Sequence, residues 1–418
     1  PRYAYRIAGE KNIEVNFLKG TTNKDKEGKE YTTNQDVDTR TTAIVHPAFN
    51  LAGGQLSGIW VAKFEASGTN KDGQAVGNGT SSANSQQYAP DETTIAKSLP
   101  NKISWRYITI GESQKRSMDI AGSQKEKYGL ENADSHLIKN SEWGAVAYLC
   151  YSQYGNVPKS NGVGIKVTGG HWYDLYTGQG PKSELDENPY TRTDDTHNYN
   201  TTNGVLASTT GNVTGIYDMN GGAWETVAGY FDNGSWPLNS NGQSEDGKIK
   251  YFEKGKVSQI YSSLWDAYEV SEEERTNKIK ISDGTLLTQT ELWDWNKKEE
   301  KYHEARRRIT EVTYNNMNKN KGIGINEVSK EFSFYAPYGT NQNNQSRGWF
   351  KIVQQAIEGK QEYARAWNED LMVIGHSETT FFRRGGYCDN KSGAGVLATA
   401  STYGGKSAVY SFRSTIIV

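Results

Sequence analysis

The stretch Gly215 to Gly229, GIYDMNGGAWETVAG, constrains this chain more than any other. An aromatic pair, Tyr217 and Trp224, and two carboxylates, Asp218 and Glu225, flank a glycine doublet that lets the backbone turn sharply. If Asn220, Gly221 and Gly222 form a tight turn, the two carboxylates swing toward one point and the carbonyls between them face it. Oxygen-only ligands of that kind suit calcium. The same residues also read as a strand, a glycine turn and a second strand with Trp224 in the core.

Length and composition bound the remaining possibilities. At 418 residues the chain is long enough for more than one core, although the usual domain size bends easily for irregular folds. Only 34% of it is hydrophobic, and 44 glycines and 26 tyrosines point to a loop-rich surface protein. Its 11 tryptophans and 11 phenylalanines supply enough aromatic material for burial to exclude a disordered chain. A net charge of -2 gives no electrostatic case for nucleic acid. No apolar run reaches the roughly 18 residues of a membrane span. The chain starts PRYAYRIAG, with neither methionine nor a signal-peptide pattern, which leaves room for an upstream leader, anchor or domain. Two cysteines, Cys150 and Cys388, announce no disulfide framework, and the helical setting of Cys150 points to a buried thiol.

YDMNGGAWE resembles the YxxxGNxWEW signature of the formylglycine-generating enzyme (sulfatase-modifying factor) superfamily, a branch of the C-type lectin fold. It departs from that signature at Gly222, where Asn is usual, and at Thr226, where the last Trp is usual. SGIWVAKFEAS at Ser57 to Ser67 is similar to the family's early strand, and the run from Arg383 to Arg413 is similar to its closing RGG to FR segment. DSHLIKNSEWGAVAYLCYSQYG at Asp134 to Gly155 resembles a helix of lectin-fold members from gut bacteria and their phages. The resemblance implies an α+β, C-type lectin-like fold of the formylglycine-generating-enzyme type, loop-rich with short strands and a few helices. One domain would span residues 1–418, with its core at about 44–237 and 346–418 and a charged helical insert at 241–330. By the same resemblance, the Asp218 and Glu225 side chains with the Gly221 and Ala223 carbonyls hold one structural calcium ion.

Along the chain, Ile13 to Leu18 reads as a strand, Lys19 to Arg40 as a loop or extended hairpin, and the core begins at Ile44. In SGIWVAKFEAS the alternation places Trp60, Ala62 and Phe64 on a buried face, with Ile59, Val61, Lys63 and Glu65 opposite. Gly68 to Glu92 is a surface loop. Ile110 to Tyr128 is predicted helical, as is Asn140 to Tyr154, capped by Asn140 or Ser141, stopped by Gly155 and presenting Trp143, Val146, Ala147 and Cys150 on one face. His171 and His197 lie in a Gly- and Asn-rich run without a third ligand at zinc spacing, and read as structural or solvated. Asp194 and Asp195, in the same run, are ambiguous. The family places a second calcium site in this region, but no residue carries over to it. The insert predicts a hairpin of two amphipathic helices, the second capped by Thr288 or Thr290, with Trp265, Trp293 and Trp295 as core contacts. GWFKIVQQAIEGKQEYARAW, from Gly348 to Trp367, is a further helix candidate.

In the closing segment Phe381 and Phe412 read as core, and Arg384 and Arg413 as side chains held in fixed hydrogen bonds. Between them Tyr387, Asp389, Asn390, Thr399, Ser401, Thr402, Tyr403, Lys406 and Tyr410 suit a binding surface, with tyrosine giving contact area at low entropic cost. An ordinary solvated loop face fits the same residues. Catalytic members of the family oxidise a substrate cysteine with copper held by two cysteines after RGG. Here only Cys388 stands there, and a soft cuprous ion needs a thiolate pair. Six histidines form no paired motif for the family's iron branch. The variable proteins of diversity-generating retroelements, carried by phages and gut bacteria, end in a similar segment with mutable side chains exposed. Adenine-directed mutagenesis of asparagine codons reaches Tyr, Asp, Ser and Thr, but not readily Lys391 or Lys406. The reading is therefore a non-catalytic protein on a cell surface, outside the cell or on a phage virion. It binds a protein or glycan on another cell or particle through its C-terminal face. The alternatives are an oxidase of the formylglycine-generating type and a structural surface or virion module.

Overall fold

The chain begins with a hairpin. Strand β1 (Tyr3–Ile7) pairs antiparallel with β2 (Ile13–Phe17), and β3 (Ile44–Val45) adds on the other side of β1. The core thus starts at the third residue and not at Ile44, because alternate positions of YAYRI carry Tyr3, Tyr5 and Ile7 inward. Ala4 faces a smaller cluster with Leu18, Tyr31 and Val45, over which the polar run from Lys19 folds. Asp25 organises that run by accepting from the Glu27 and Lys29 amides and the Tyr31 hydroxyl. The computed structural model describes all residues except 9–11, 52–53, 78–87, 158–164, 166–175, 181–196, 233–263, 295, 320–333, 336–350, 355–361, 366–370, 373–379, 389–393 and 403.

The elements that position the functional residues follow in chain order: β4 (Trp60–Val61), α1 (Ile110–Met118), β5 (Asp134–Leu137), α2 (Asn140–Cys150), β6 (Trp224–Asp232), β7 (Asp266–Glu269), α3 (Glu300–Lys319), β8 (Phe334–Tyr335), β9 (Lys351–Gln354), β10 (Glu362–Arg365), β11 (Leu371–Met372), β12 (Phe381–Gly385), β13 (Gly395–Thr402), β14 (Tyr410–Phe412) and β15 (Ser414–Ile417). A nine-stranded sheet runs β7-β6-β12-β13-β11-β10-β9-β8, with β14 also paired to β6. A three-stranded sheet runs β4-β15-β5. The architecture is mixed α and β, loop-rich, with short strands and few helices. No helix among the described residues is long and apolar enough to cross a membrane.

Strand β6 holds this arrangement together. It lies antiparallel to β12 along one edge, while its other edge is shared by β14, parallel at Trp224 to Thr226, and β7, parallel from Gly229 onward. Cores form on both sides. Trp143, Tyr148, Val227, Phe231 and Phe382 belong to one, and Trp105, Ile110, Tyr230, Trp265, Phe381 and Phe412 to the other.

Several expectations are corrected. Trp60 is 72% exposed: the regular strand stops at Val61, so the period-two pattern does not extend to Phe64, and Phe64 and Glu65 are both buried. The helix expected over Ile110 to Tyr128 divides after Met118, followed by a short turn at Lys125–Tyr128 that closes on Gly129 with φ 65°. Helix α2 ends at Cys150, short of Tyr154, and the chain folds back so closely that a Cβ on Gly155 would lie 1.9 Å from the Cys150 carbonyl oxygen. At its start Glu142 accepts from the Lys139 amide at 2.9 Å, and Asp266 takes the Ser141 amide at 2.6 Å.

Residues 241–263 of the insert lie outside the described residues, and from Leu264 the first predicted helix is replaced by β7 and the short helix Glu272–Thr276. β7 buries alternate residues and joins the main sheet, sending Trp265 into its core. The second predicted helix appears as Gln289–Leu292, capped by Thr288 as expected, and α3. Trp293 packs against a satellite cluster of Ile279, Leu287, Leu292 and Ile309, while Trp295 lies outside the described residues. The helix predicted over Gly348 to Trp367 is replaced by β9 and β10, paired antiparallel, where KIVQ and EYAR find sheet partners and Gly359 interrupts the sequence between them.

Candidate functional site

The Gly215 to Gly229 stretch and the closing segment meet where the chain passes from β14 to β15. Arg413 stands at that junction, fully buried, and grips Glu225 with two hydrogen bonds, Nη2 to Oε1 at 2.6 Å and Nε to Oε2 at 3.0 Å. Two further N–H groups donate to the Ala62 carbonyl at 2.5 Å and the Tyr217 carbonyl at 2.8 Å. One side chain therefore joins β6, the WVAKFE segment and the turn before Trp224. Such forked, charge-assisted bonds are about twice as strong as neutral ones. Arg384 does the same on the α2 side, donating to Asn140 Oδ1 at 2.6 Å and the Ala398 carbonyl at 3.0 Å. The fixed hydrogen bonds expected of both arginines are present.

Asp218 and Glu65 complete the centre. Asp218 has φ 66° and accepts from the Gly178 amide at 2.8 Å and the Glu65 amide at 3.2 Å. Glu65 accepts from the Ala223 amide at 2.7 Å and from Ser104 Oγ, which itself bonds Ser411 Oγ at 2.9 Å. Burial, reinforced by the charges of Asp218 and Glu225, holds the Glu65 carboxyl well above the usual range. Burial also pushes Glu225 up to about 7, with Arg413 pulling against it. Gly222 has φ 64°, and a Cβ there would fall 2.4 Å from Glu65 Oε1, which accounts for glycine where the resembling signature has asparagine.

Of the four residues expected to hold calcium, the two carboxylates already have hydrogen-bond partners within the protein. Both Glu225 oxygens accept from Arg413, and both Asp218 oxygens accept from backbone amides. Calcium draws six to eight oxygens into one shell. Among the described residues no group of three or more His, Cys, Asp or Glu side chains is arranged for a metal ion. His197 is buried, whereas His171, Asp194 and Asp195 lie outside the described residues.

The residues expected on the C-terminal face divide. Opposed residues of an antiparallel pair share a sheet face. Thr399 opposite Arg384 and Ser401 opposite Phe382 thus lie on the α2 side, Thr399 buried and Ser401 half-buried. Thr402, opposite Phe381, is buried on the other side. Tyr387 and Tyr410 do come together, half-buried with Val409 against Trp224, Ala398 and Ala400. Arg383 lies between the rings of Trp224 and Tyr410, 4.8 and 4.6 Å from their centroids. Exposed Lys406 holds its ammonium 4.8 Å from the Tyr107 ring. Asp389, Asn390 and Tyr403 lie outside the described residues.

Two contributors escaped the sequence reading. Strand alternation puts Glu65 opposite the buried face, yet it is 1% exposed. Tyr107 gives no signal in sequence, yet it adopts φ 59°, and its amide donates to the same Ser407 carbonyl that receives the Tyr410 amide. Cys388 is a buried thiol beside Ala223 and Tyr387, and Cys150 is a second buried thiol, bonded to the Val146 carbonyl and pushed up by burial. Neither a known family model nor a curated protein sequence matches this chain.

Proposed function

We propose that the chain is a non-catalytic binding protein with a C-type lectin-like fold of the formylglycine-generating-enzyme type. It works at a cell surface or on a virion, and it recognises a protein or glycan partner through its C-terminal face. The observation that supports this reading is the contrast within the closing segment. Arg384, Arg413, Phe381 and Phe412 are buried and fixed, while Tyr387, Arg383 and Tyr410 are half-buried and Lys406 is exposed on that rigid support. Aromatic and arginine side chains held in place lose little entropy on contact and commonly dominate interfaces. The single buried thiol after the RGG run, Cys388, supports the non-catalytic reading, since copper-dependent oxidation in the resembling family uses two.

The experiment is hydrogen exchange on the protein with and without a binding partner selected from cell, particle and glycan panels. Protection of residues 383–387 and 406–410 supports the reading. Protection confined to the opposite side, for example around Phe17 and Tyr154, overturns it.

A further inference from the structure

We infer that Arg413 is the resident cation of the buried carboxylate centre, so that the closing segment is held in place without a divalent ion. Three carboxylates, Glu65, Asp218 and Glu225, converge in a region whose side chains are essentially inaccessible to water. A buried carboxylate is costly unless it is paired or hydrogen-bonded. Each one here has a protein partner: Glu225 the guanidinium fork, Asp218 two backbone amides, and Glu65 one amide and the Ser104 hydroxyl. The guanidinium also donates to two backbone carbonyls besides Glu225, so that each of its three nitrogens has a partner.

The consequence reaches the candidate face. Arg413 follows β14 directly and precedes β15, so the charge that neutralises Glu225 also fixes Tyr410 and the strand it belongs to. A metal-held site would load and release with the concentration of its ion. A guanidinium carried by the chain cannot leave, and presentation of the face becomes indifferent to calcium.

The test uses thermal unfolding of the full chain with millimolar calcium, with a chelator, and with neither. The expected result for the wild type is no shift among the three; a melting temperature that rises with calcium and falls with chelator overturns the inference. Arg413→Lys and Arg413→Met both lose the fork, but only the first keeps the charge. Arg413→Lys is expected to melt well above Arg413→Met, or to fold where Arg413→Met does not. Methylguanidinium at millimolar concentration is expected to restore part of the loss in Arg413→Met. Equal stability of the two variants, or a methionine variant above the lysine one, overturns the role of charge. The calcium arm decides the matter if neither variant folds.

Discussion

Gly222→Ala separates backbone conformation from packing at the centre of the fold. The residue has φ 64°, and an added Cβ would approach Glu65 Oε1 to 2.4 Å and Glu65 Cδ to 3.2 Å. An L-residue in the left-handed region costs roughly 1–2 kcal/mol. Glu65 must then move, giving up its bond from the Ala223 amide or from Ser104, and a buried polar group left unsatisfied costs about 1–3 kcal/mol. The sum is about 2–5 kcal/mol. Gly73→Ala is the control, because Gly73 has φ 76° and nothing within 4 Å of its added Cβ, so only the backbone cost of roughly 1–2 kcal/mol applies. Urea unfolding of the two variants is expected to differ by about 1–3 kcal/mol, the packing share alone. Equal losses would show that Glu65 does not press on Gly222, and the described centre would be wrong. Asparagine, usual at this place in the resembling signature, tolerates the backbone better but brings the same Cβ to the same oxygen.

Two other outcomes follow from the core. His46 is fully buried, and its burial lowers its pKa to about 3 from an unfolded value of 6.5. The unfolded chain therefore binds the extra proton between those values, so this contribution to stability is complete above about pH 6.5 and is lost as pH falls toward 3, by up to about 1.4 kcal/mol per pH unit. Denaturant unfolding at stepped pH should show that slope, and His46→Asn should reduce it by about one proton; an unchanged slope refutes the assignment. Trp224→Ala removes a ring that is 2% exposed and packed on Ala398, Ala400 and the Arg383 guanidinium, and should cost about 3–5 kcal/mol in the same assay. A loss under about 1 kcal/mol would place that ring outside the core.

What could be read from the sequence was local chemistry with few competing partners. Asn140 to Cys150 is helical because apolar residues recur at helical spacing, and Thr288 caps its helix because a hydroxyl three residues before Glu291 forms a reciprocal capping box. Arg384 and Arg413 were legible as buried anchors because long polar side chains among glycines and aromatics need fixed acceptors. Partnership across long sequence separations was not legible. The sequence shows Asp218 and Glu225 flanking one turn, but not that Arg413, 188 residues beyond Glu225, donates to the glutamate. Lys351–Gln354 and Glu362–Arg365 contain good helix formers, and pairing with each other and with neighbouring strands overrides that weak preference. The nine proposed binding residues share side-chain type and not a sheet face. Alternation along β13 sends Thr399 and Ser401 to one side and Ala398 and Ala400 to the other, where Tyr387 and Tyr410 pack on them.

Recognition through the C-terminal face is tested most directly by measuring partner affinity and melting temperature together for Tyr387→Ala and Lys406→Ala. Lys406 is exposed and Tyr387 half-buried, so each variant should weaken binding about tenfold or more, with Lys406→Ala melting within about 2 °C of the wild type and Tyr387→Ala losing more affinity than its loss of stability explains. Unchanged affinity in both variants, or affinity lost only in step with stability, would contradict a binding face built on the closing segment.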